Sequence, residues 1–350
     1  MIVNPSVRVR CDADGCAVAW LARRGGLRRH VLGHRAGAAL LALLDGAAAE
    51  DLLDADALAW FIAHDLLISP PPPLPDPTPA PPVAAASPDV DAAPDPDFAL
   101  VAEPGAAPQL LERTPWGAPW TVFKISPAQA AAYLAAHADP RGTTAHAAAD
   151  VAALAACGAL ATPQAAARRR AARLRWLREA RAAYARDERV LLDWPPPREL
   201  AALQAHARAV WDRGCLDGDH GVAGKQRSHV YDAPALRPLL ARAAAHARAI
   251  TGRPLVASYS FLSFYERGGG LPEHRDKSHC VVSMSVALHA DVGWPLRVTD
   301  RDGARHELRW STGQTLLFDG RRYAHARPPL AEPMAIHLVL HFQRDPESLP

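Results

Sequence analysis

Lysine is almost missing from this sequence of 350 residues. Lys124, Lys225 and Lys277 are the only lysines among 39 basic residues, and arginine and alanine fill most positions that vary in other proteins. Because this pattern indicates a compositional bias, an alanine-rich stretch is weak evidence for a helix, and an arginine cluster is weak evidence for nucleic-acid binding. The formal net charge of +2 excludes a global field that would attract DNA or an anionic membrane.

Long apolar runs and paired cysteine motifs are also missing. No run approaches the roughly 18 apolar residues of a membrane span, and the start, MIVNPSVRVRCDADG, lacks the basic and apolar regions of a signal peptide. The five cysteines form no CxxC pair and no recognisable disulfide framework: Cys11, Cys16, Cys157, Cys215 and Cys280. An odd, scattered set is typical of a reducing compartment, so we expect a soluble cytoplasmic protein.

Proline is concentrated in one segment, residues 70–97, with the sequence PPPPLPDPTPAPPVAAASPDVDAAPDPD. This density of proline forbids helices and sheet ladders, and the segment has almost nothing to bury. It predicts an extended, semi-rigid linker that follows a small N-terminal module of residues 1–69.

The pattern of the first module recurs after the linker. In residues 1–69, alternating runs flank Asp14-Gly15, a hairpin signal, and helical patterns follow over residues 36–44 and 56–67. A similar pair of helical stretches fills residues 131–163, with the strand-like run TVFKI ahead of it. We interpret this as a tandem duplication of one winged-helix-like module, the second copy covering residues 98–163. The alternative is that two alanine-rich helical pairs are alike through composition only.

The remaining sequence divides into a helix and a β-rich region. Residues 164–190 form a connecting segment, in which residues 164–186 predict one arginine-rich helix with a solvated surface. In residues 191–350, two helical stretches (199–213 and 235–251) precede several short β-like runs, with Asp302-Gly303 as a hairpin turn between two of them. We therefore expect an α+β protein whose C-terminal domain is a barrel or sandwich with a helical support layer.

The β-rich region contains His274-Arg275-Asp276. Residues i and i+2 of a strand face the same side, so the spacing predicts that the imidazole and the carboxylate converge. His325, on a later run, is the candidate third ligand. Two histidines and one carboxylate that leave further positions open form the facial triad of iron(II) oxygenases. The chain has 16 histidines, so the HxD spacing alone is not specific.

The residues around this motif form a longer series. In chain order they are Tyr265, Gly268, His274 with Asp276, the run Gly313-Gln-Thr-Leu-Leu-Phe318, and His325. Over residues 191–342 this series resembles the 2-oxoglutarate- and iron(II)-dependent dioxygenases of the prolyl-hydroxylase-like branch. The resemblance implies a double-stranded β-helix (jelly-roll) fold, with iron(II) as the metal and 2-oxoglutarate and O2 as co-substrates. It also implies hydroxylation or desaturation, because halogenating relatives replace the carboxylate at the position of Asp276.

The chain departs from this branch at the residue that binds the far carboxylate of 2-oxoglutarate. The branch has an arginine or lysine beyond the distal histidine, where this chain has Ala335, Ile336 and His337. We assign the role to Arg327, because a planar guanidinium suits bidentate carboxylate binding, with His337 as the alternative. Tyr265 is expected either to support the co-substrate or to pack in the barrel.

Several neighbouring residues receive structural interpretations. Lys277 is predicted to face away from the side of Asp276, and Trp294 is predicted to pack in the barrel. Four further histidines are expected at strand surfaces or in the core: His279, His289, His306 and His341.

Three interpretations of the N-terminal modules stay open. They faintly resemble the winged-helix (PqqD-like) domains that bind leader peptides of ribosomally made natural products (RiPPs), which implies that an edge strand captures the substrate peptide. DNA binding is disfavoured because Asp56 and Asp65 lie on the helix that would enter the groove. The modules could also serve only to cover the oxygenase or to form a dimer.

We therefore expect a dioxygenase that hydroxylates a peptide or protein, with neither nucleic acid nor a membrane as partner. The alternatives are a hydroxylase of an amino acid or secondary metabolite, and a non-catalytic binding protein on an oxygenase scaffold.

Overall fold

The structure of the protein is a computed structural model. The structure describes residues 2–3, 8–12, 15–21, 27–44, 47–64, 66–68, 92–102, 106–139, 146–214, 216–218, 226–277, 279–290, 294–300 and 302–345. The predicted turn residue Asp14 and residues 70–91 of the predicted linker lie outside these ranges.

The first module combines a three-stranded antiparallel sheet with three helices. Its elements are β1 (Ile2–Val3), β2 (Arg8–Asp12), β3 (Gly15–Leu21), β4 (Leu27–Leu32), α1 (His34–Leu44), α2 (Ala49–Leu52), α3 (Ala55–Ala63) and β5 (Leu67–Ile68). Strands β2, β3 and β4 form the sheet, and β5 returns to pair with β1. Leu40, Phe61 and Leu66 lie in its own small core. The helix predicted over residues 56–67 ends at Ala63, because the next apolar residues pair with β1 instead.

The second module repeats this order. Its elements are β6 (Ala93–Pro94), β7 (Phe98–Val101), β8 (Gln109–Arg113), β9 (Pro119–Lys124), α4 (Pro127–Ala138), α5 (Ala148–Cys157) and β10 (Leu160–Ala161). Strands β7, β8 and β9 form an antiparallel sheet, and β10 returns to pair with β6. Helix α4 begins at a capping box in which Ser126 and Gln129 bind each other's backbone N–H. The order and pairing of elements agree with a duplication, whereas the winged-helix name stays a prediction.

The end of the predicted linker belongs to the second module. Residues 93–94 form β6, and the Asp95 side chain is only 1% exposed. Its carboxylate pairs with Arg169, while Asp97 pairs with Arg170. The prediction of a linker up to residue 97 is therefore wrong over residues 93–97. Local proline content could not reveal strand pairing with residues far along the chain.

A long helix connects the modules to the β-rich region. Helix α6 (Pro163–Asp187) begins with Thr162 as N-cap and Pro163 in its first turn. The prediction of this helix is confirmed, and most of its arginines are exposed, such as Arg168, Arg175 and Arg178, but one face of the helix contacts the second module. Besides the two ion pairs above, Arg173 donates to Glu112 at 2.8 Å and lies 3.9 Å over the Trp120 ring. These contacts fix the helix to the second module.

Two antiparallel sheets make up the β-rich region. The large sheet has the order β11 (Arg189–Leu192), β19 (Thr315–Phe318), β16 (Val282–His289), β21 (Met334–Arg344), β14 (Leu255–Glu266), β13 (Arg227–Tyr231) and β12 (Asp217–Gly218). The small sheet has the order β15 (Leu271–His274), β20 (Ala324–Arg327), β17 (Leu296–Thr299) and β18 (Arg305–Leu308). Apolar residues of both sheets, such as Phe318 and Val298, share one core, so the sheets pack face to face.

Alternation along the strands explains the two faces of the large sheet. Val282, Met284 and Val286 of β16 pack with α7 (Pro197–Asp212) and α8 (Arg237–Thr251) in the main core. The residues between them, such as Ser283 and Ser285, face the small sheet. The predicted helices 199–213 and 235–251 and most of the predicted strands are thereby confirmed. The inner face of the large sheet therefore carries polar side chains, such as Ser283 and Ser285, into the space between the two sheets.

Two findings bear on the predicted compartment. Cys16 is disulfide-bonded, and Cys11 is the residue opposite it in the β2–β3 register. The cysteine spacings showed no recognisable disulfide framework, so the sequence did not predict this bond. Within the described ranges, no helix is long and apolar enough to cross a membrane.

Candidate active site

A cavity of about 410 Å³ opens between the two sheets. Its walls include all six site residues that the sequence predicted: His274, Asp276, His325, Arg327, Tyr265 and His337. These residues come from β14, β15, β20 and β21 and from the segment after β15.

His274, Asp276 and His325 meet at one end of this cavity. One ligand atom from each lies within 4.8 Å of the others. His274 and His325 are opposite each other in the β15–β20 register, with ring centroids 4.3 Å apart. Oδ1 of Asp276 lies 3.9 Å from Nε2 of His274 and 3.7 Å from Nε2 of His325. These three atoms could all bind one metal ion, from one side of that ion.

Backbone carbonyls orient both imidazoles. Nδ1 of His274 lies 2.9 Å from the Pro272 carbonyl oxygen, and Nδ1 of His325 lies 3.0 Å from that of Tyr323. A carbonyl only accepts, so each Nδ1 must carry the proton, and each Nε2 presents its lone pair. Burial lowers the pKa of His325, which favours the neutral form that binds metals.

Asp276 is positioned by a loop rather than by strand alternation. Strand β15 ends at His274, and the Asp276 N–H donates to the Gly320 carbonyl oxygen at 2.9 Å. Ser283 Oγ donates to Asp276 Oδ2 at 2.9 Å, which leaves Oδ1 directed towards the histidines. His274 and Asp276 do converge as predicted, but the loop after β15 brings them together rather than strand alternation.

Arg327 lies deep in the same cavity. Its guanidinium carbon lies 4.5 Å from the Trp294 ring centroid and 4.8 Å from that of Trp310. Burial lowers the pKa of Arg327 to about 10, which still leaves the group charged at neutral pH. Among the described residues, no carboxylate pairs with it. A buried cation in this position favours an anionic ligand.

His337 and Tyr265 complete the surroundings of Arg327. The Arg327 guanidinium lies 3.5 Å from Nδ1 of His337, and burial together with Arg327 lowers the pKa of His337 well below its ordinary value. Nε2 of His337 lacks a hydrogen-bond partner in the part of the chain that the structure describes. Tyr265 packs edge-on against Trp294, with centroids 4.9 Å apart. His337 is thus a neutral polar group beside a charged one.

Sequence reasoning missed several residues of this site. His341, expected in the core or at a surface, is buried and shares Ser283 with Asp276, its Nδ1 lying 2.8 Å from Ser283 Oγ. Lys277, expected to face away, lines the cavity because residues 275–277 continue beyond the strand. Strand periodicity could have placed Ser283 and His341 on the inner face, but it could not give their register with Asp276.

These residues fit a metal ion and a dicarboxylic co-substrate. Two imidazoles and one carboxylate form the donor set that holds iron(II) while other positions stay open. The buried guanidinium of Arg327 suits the second carboxylate of 2-oxoglutarate, because it can donate two parallel hydrogen bonds. The site therefore fits iron(II), 2-oxoglutarate and O2.

Comparisons with known proteins give similarities in structure only. No family model matches the sequence, and the comparison with curated proteins gave no match. A prolyl-4-hydroxylase of Pseudomonas putida is 21% identical over 48% of this chain and 99% of its own, with a TM-score of 0.42. The non-heme alpha ketoglutarate dependent epimerase SnoN from nogalamycin biosynthesis is 18% identical over 48% of this chain and 82% of its own, with a TM-score of 0.42.

A prolyl hydroxylase of Trichoplax adhaerens, in complex with a hypoxia inducible factor peptide fragment, is 11% identical. The match covers 48% of this chain and 89% of that protein, with a TM-score of 0.42. Each of these solved structures thus matches about half of this chain at low identity, and the chemistry of the protein must be read from the residues of its own cavity.

Proposed function

We propose that the protein is an iron(II)- and 2-oxoglutarate-dependent dioxygenase that hydroxylates a C–H bond. One observation carries the proposal: the His274, Asp276 and His325 cluster shares a cavity with the buried guanidinium of Arg327. A metal-binding triad alone fits many hydrolytic and structural sites. A second, buried anion site in the same cavity fits a dicarboxylic co-substrate.

Each residue has a separate part in the proposed reaction. When bound, iron(II), 2-oxoglutarate and O2 supply the oxidation of a C–H bond, with succinate and carbon dioxide as co-products. The triad holds the metal from one side and leaves the other side to the substrates. Arg327 orients the co-substrate through its far carboxylate, and the flanking Trp294 and Trp310 keep water away from this pair.

Succinate formation tests the proposal. Adding iron(II), 2-oxoglutarate and oxygen to the protein is expected to produce succinate, and His325→Ala is expected to abolish both iron binding and turnover. Arg327→Gln should keep iron but weaken 2-oxoglutarate binding by at least about tenfold, because a charge-assisted pair is lost. Exposed Arg178→Gln is the control. Unchanged iron content in His325→Ala would refute the ligand assignment.

We further propose that the substrate is a peptide or protein captured by the first module. Two features support this choice over a small molecule. Strand β4 lies at the end of its sheet, with β3 as its only partner among the described strands, so its outer edge can pair with an extended peptide. Val31 on this strand is 66% exposed, and the rings of His30 and Trp60 lie 5.1 Å apart beside it.

Shortening the chain to residues 92–350 separates peptide from metabolite. This change removes the first module and keeps the second module, whose Trp116 and Trp120 pack in the main core with residues of the β-rich region. A captured peptide should show a higher KM and an unchanged kcat, because only effective concentration is lost. For a small-molecule substrate, both KM and kcat should stay the same as in the full chain. The readout is a gain of one oxygen mass in peptides recovered with the full chain, checked against His274→Ala.

A further inference from the structure

Cys280 is a buried thiol in the wall of the cavity. Its side chain is 1% exposed, and it lines the cavity together with the metal-binding triad. It lies shortly after Asp276 in the chain, and its N–H donates to the Lys277 carbonyl oxygen at 3.0 Å. Burial raises the pKa of the Cys280 thiol, so the thiolate that would act as a nucleophile is scarce at neutral pH. The proposed reaction gives this group no part.

Tyr259 is the neighbour of this thiol. It lies on β14, lines the same cavity, and places its hydroxyl oxygen 3.2 Å from Sγ of Cys280. Burial raises the pKa of Tyr259 as well, so the hydroxyl and the thiol are both protonated and neutral. The two groups are thus a reduced pair in contact with each other inside the cavity.

A short series of contacts connects Tyr259 to the metal-binding carboxylate. Its ring centroid lies 4.6 Å from that of His341, whose Nδ1 lies 2.8 Å from Ser283 Oγ. Ser283 Oγ in turn donates to Asp276 Oδ2 at 2.9 Å. Oxidation that begins at the triad therefore has the phenol of Tyr259 within a few side-chain contacts.

We propose that Tyr259 and Cys280 become joined by a thioether bond, an inference that rests on the proposed function. The bond forms between Sγ of Cys280 and the ring carbon next to the Tyr259 hydroxyl, a position at which oxidised phenols react. The S–H bond and one ring C–H bond break, and the two hydrogen atoms leave as two protons and two electrons. One O2 and one 2-oxoglutarate take them up and give succinate, carbon dioxide and one water, so no other oxidant is needed.

Two features favour this product over oxygen addition to either side chain. Cysteines that take up oxygen stepwise are exposed and have a low pKa, whereas Cys280 is buried and its pKa is raised. The sulfur also lies against the hydroxyl edge of the Tyr259 ring, so an oxidised ring meets the sulfur before it meets water. The link would fix this ring in the cavity wall and protect the thiol from further oxidation.

Mass spectrometry of the full chain tests the proposal. The protein is purified and loaded with iron(II) without oxygen, and it is then given 2-oxoglutarate and oxygen with no further substrate. After reduction and complete digestion with trypsin, which does not cleave Arg253-Pro254, residues 249–267 carry Tyr259 and residues 278–297 carry Cys280. A thioether joins these two peptides with the loss of two hydrogen atoms and survives the reduction, whereas a disulfide does not.

We expect the joined peptides in the wild type only after 2-oxoglutarate and oxygen are added. Tyr259→Phe and Cys280→Ala should abolish the link, and His325→Ala should abolish it through the loss of iron. Tyr231→Phe and Cys157→Ala are the matched controls and should keep it. The Tyr231 ring packs 4.7 Å from that of Tyr259 but is 52% exposed, and Cys157 is a free cysteine on α5 that does not line the cavity.

Three results would overturn the inference while the proposed function stands. Succinate could form over many turnovers while the two peptides stay separate. Oxygen could be gained on Tyr259 or Cys280 in place of the link, or the link could form equally in His325→Ala. If the wild type forms neither succinate nor the visible charge-transfer absorption of an iron(II)–2-oxoglutarate complex, the proposed function fails instead, and the inference fails with it.

Discussion

Ser283 is the residue that joins the metal-binding carboxylate to the large sheet. Its hydroxyl donates to Asp276 Oδ2 at 2.9 Å and lies 2.8 Å from Nδ1 of His341. Burial lowers the pKa of His341 to about 4, so the neutral ring can donate to Ser283 while Ser283 donates to Asp276. Such outer partners fix which oxygen a carboxylate presents to a metal.

Ser283→Ala is therefore expected to weaken iron(II) or cobalt(II) binding by about 10- to 100-fold without removing any ligand. The measurement is a metal titration against a competing chelator, with thermal unfolding as a check on folding. Ser260→Ala is the matched control, because Ser260 is also fully buried but its Oγ has no hydrogen-bond partner among the described residues. Equal metal affinities of the two variants would contradict this role of Ser283.

At this scale the sequence predicted the three candidate ligands and missed the residues that support them. His274 and Asp276 are two residues apart, so a local motif reveals them. Ser283 and His341 are 58 residues apart, and only the β16–β21 register makes them neighbours. A serine or a histidine in a strand carries no local sign of such a partner. Arg327 was proposed as the co-substrate residue because the resemblance called for a basic residue in this region and a planar guanidinium suits a carboxylate.

The turn between β19 and β20 positions the site at the scale of an element. Oδ1 of Asp319 accepts from the backbone N–H of Arg321 and Arg322, at 3.1 and 3.0 Å, and Arg253 donates to Oδ2 at 2.7 Å. The turn thereby holds the Gly320 carbonyl oxygen against the Asp276 N–H. A Cβ atom on Gly320 would lie 1.8 Å from Asp276 Oδ2, so the glycine is required by close approach.

Gly320→Ala is accordingly expected to displace the Asp276 carboxylate and reduce metal affinity more strongly than Ser283→Ala does. Gly33→Ala is the control, since a Cβ there meets nothing within 4 Å. Metal content after dialysis and the unfolding temperature are measured together. A Gly320→Ala protein that keeps full metal content would show that the turn can move away from Asp276 without any loss of metal affinity.

Elements with a strong local pattern were predicted, whereas those made by distant pairing were not. Helix α6 was placed within one residue of its observed ends, because its boundaries coincide with Thr162-Pro163 and the end of the arginine-rich run. The two-residue strands β6 and β10 exist only because they pair with each other across the second module. Proline around β6 indicated a linker, since local composition is blind to such pairing.

At the scale of the whole molecule, an aromatic cluster around His246 joins the second module to the β-rich region. Four indole rings lie within 6.3 Å of this imidazole by centroid distance: Trp116, Trp120, Trp176 and Trp194. They come from the second module, α6 and the β-rich region, so the cluster joins all three. Nε2 of His246 donates to the Pro119 carbonyl oxygen at 3.1 Å, which requires the proton on that nitrogen.

This junction is expected to weaken in acid. Burial, followed by the charges of Arg242 and Arg173, lowers the pKa of His246 from 6.5 to about 3. Between pH 6.5 and pH 3, His246 binds a proton in the unfolded chain but not in the folded chain. The stabilisation that depends on the neutral ring is therefore fully present above pH 6.5 and is lost as the pH falls towards 3. The contribution is at most about 1.4 kcal/mol per pH unit.

The free energy of unfolding between pH 7 and pH 4 measures this effect. His246→Phe keeps a ring without a proton site, and His246→Gln keeps a donor. Both variants should show a shallower loss of stability with falling pH than the wild type, whatever their stability at pH 7. Parallel curves for all three proteins would place the acid sensitivity elsewhere, for example at His341.

Strand β20 carries His325 and Arg327 two residues apart on the same buried face. The rise of a strand separates these positions by about 6.6 Å, and neither can move without breaking the pairing of β20 with β15 and β17. Under the proposed function, this fixed separation implies chain-length selectivity for the 2-oxo acid. Oxaloacetate is one carbon shorter than 2-oxoglutarate and 2-oxoadipate is one carbon longer, so each should be decarboxylated far more slowly, as measured by malonate or glutarate release.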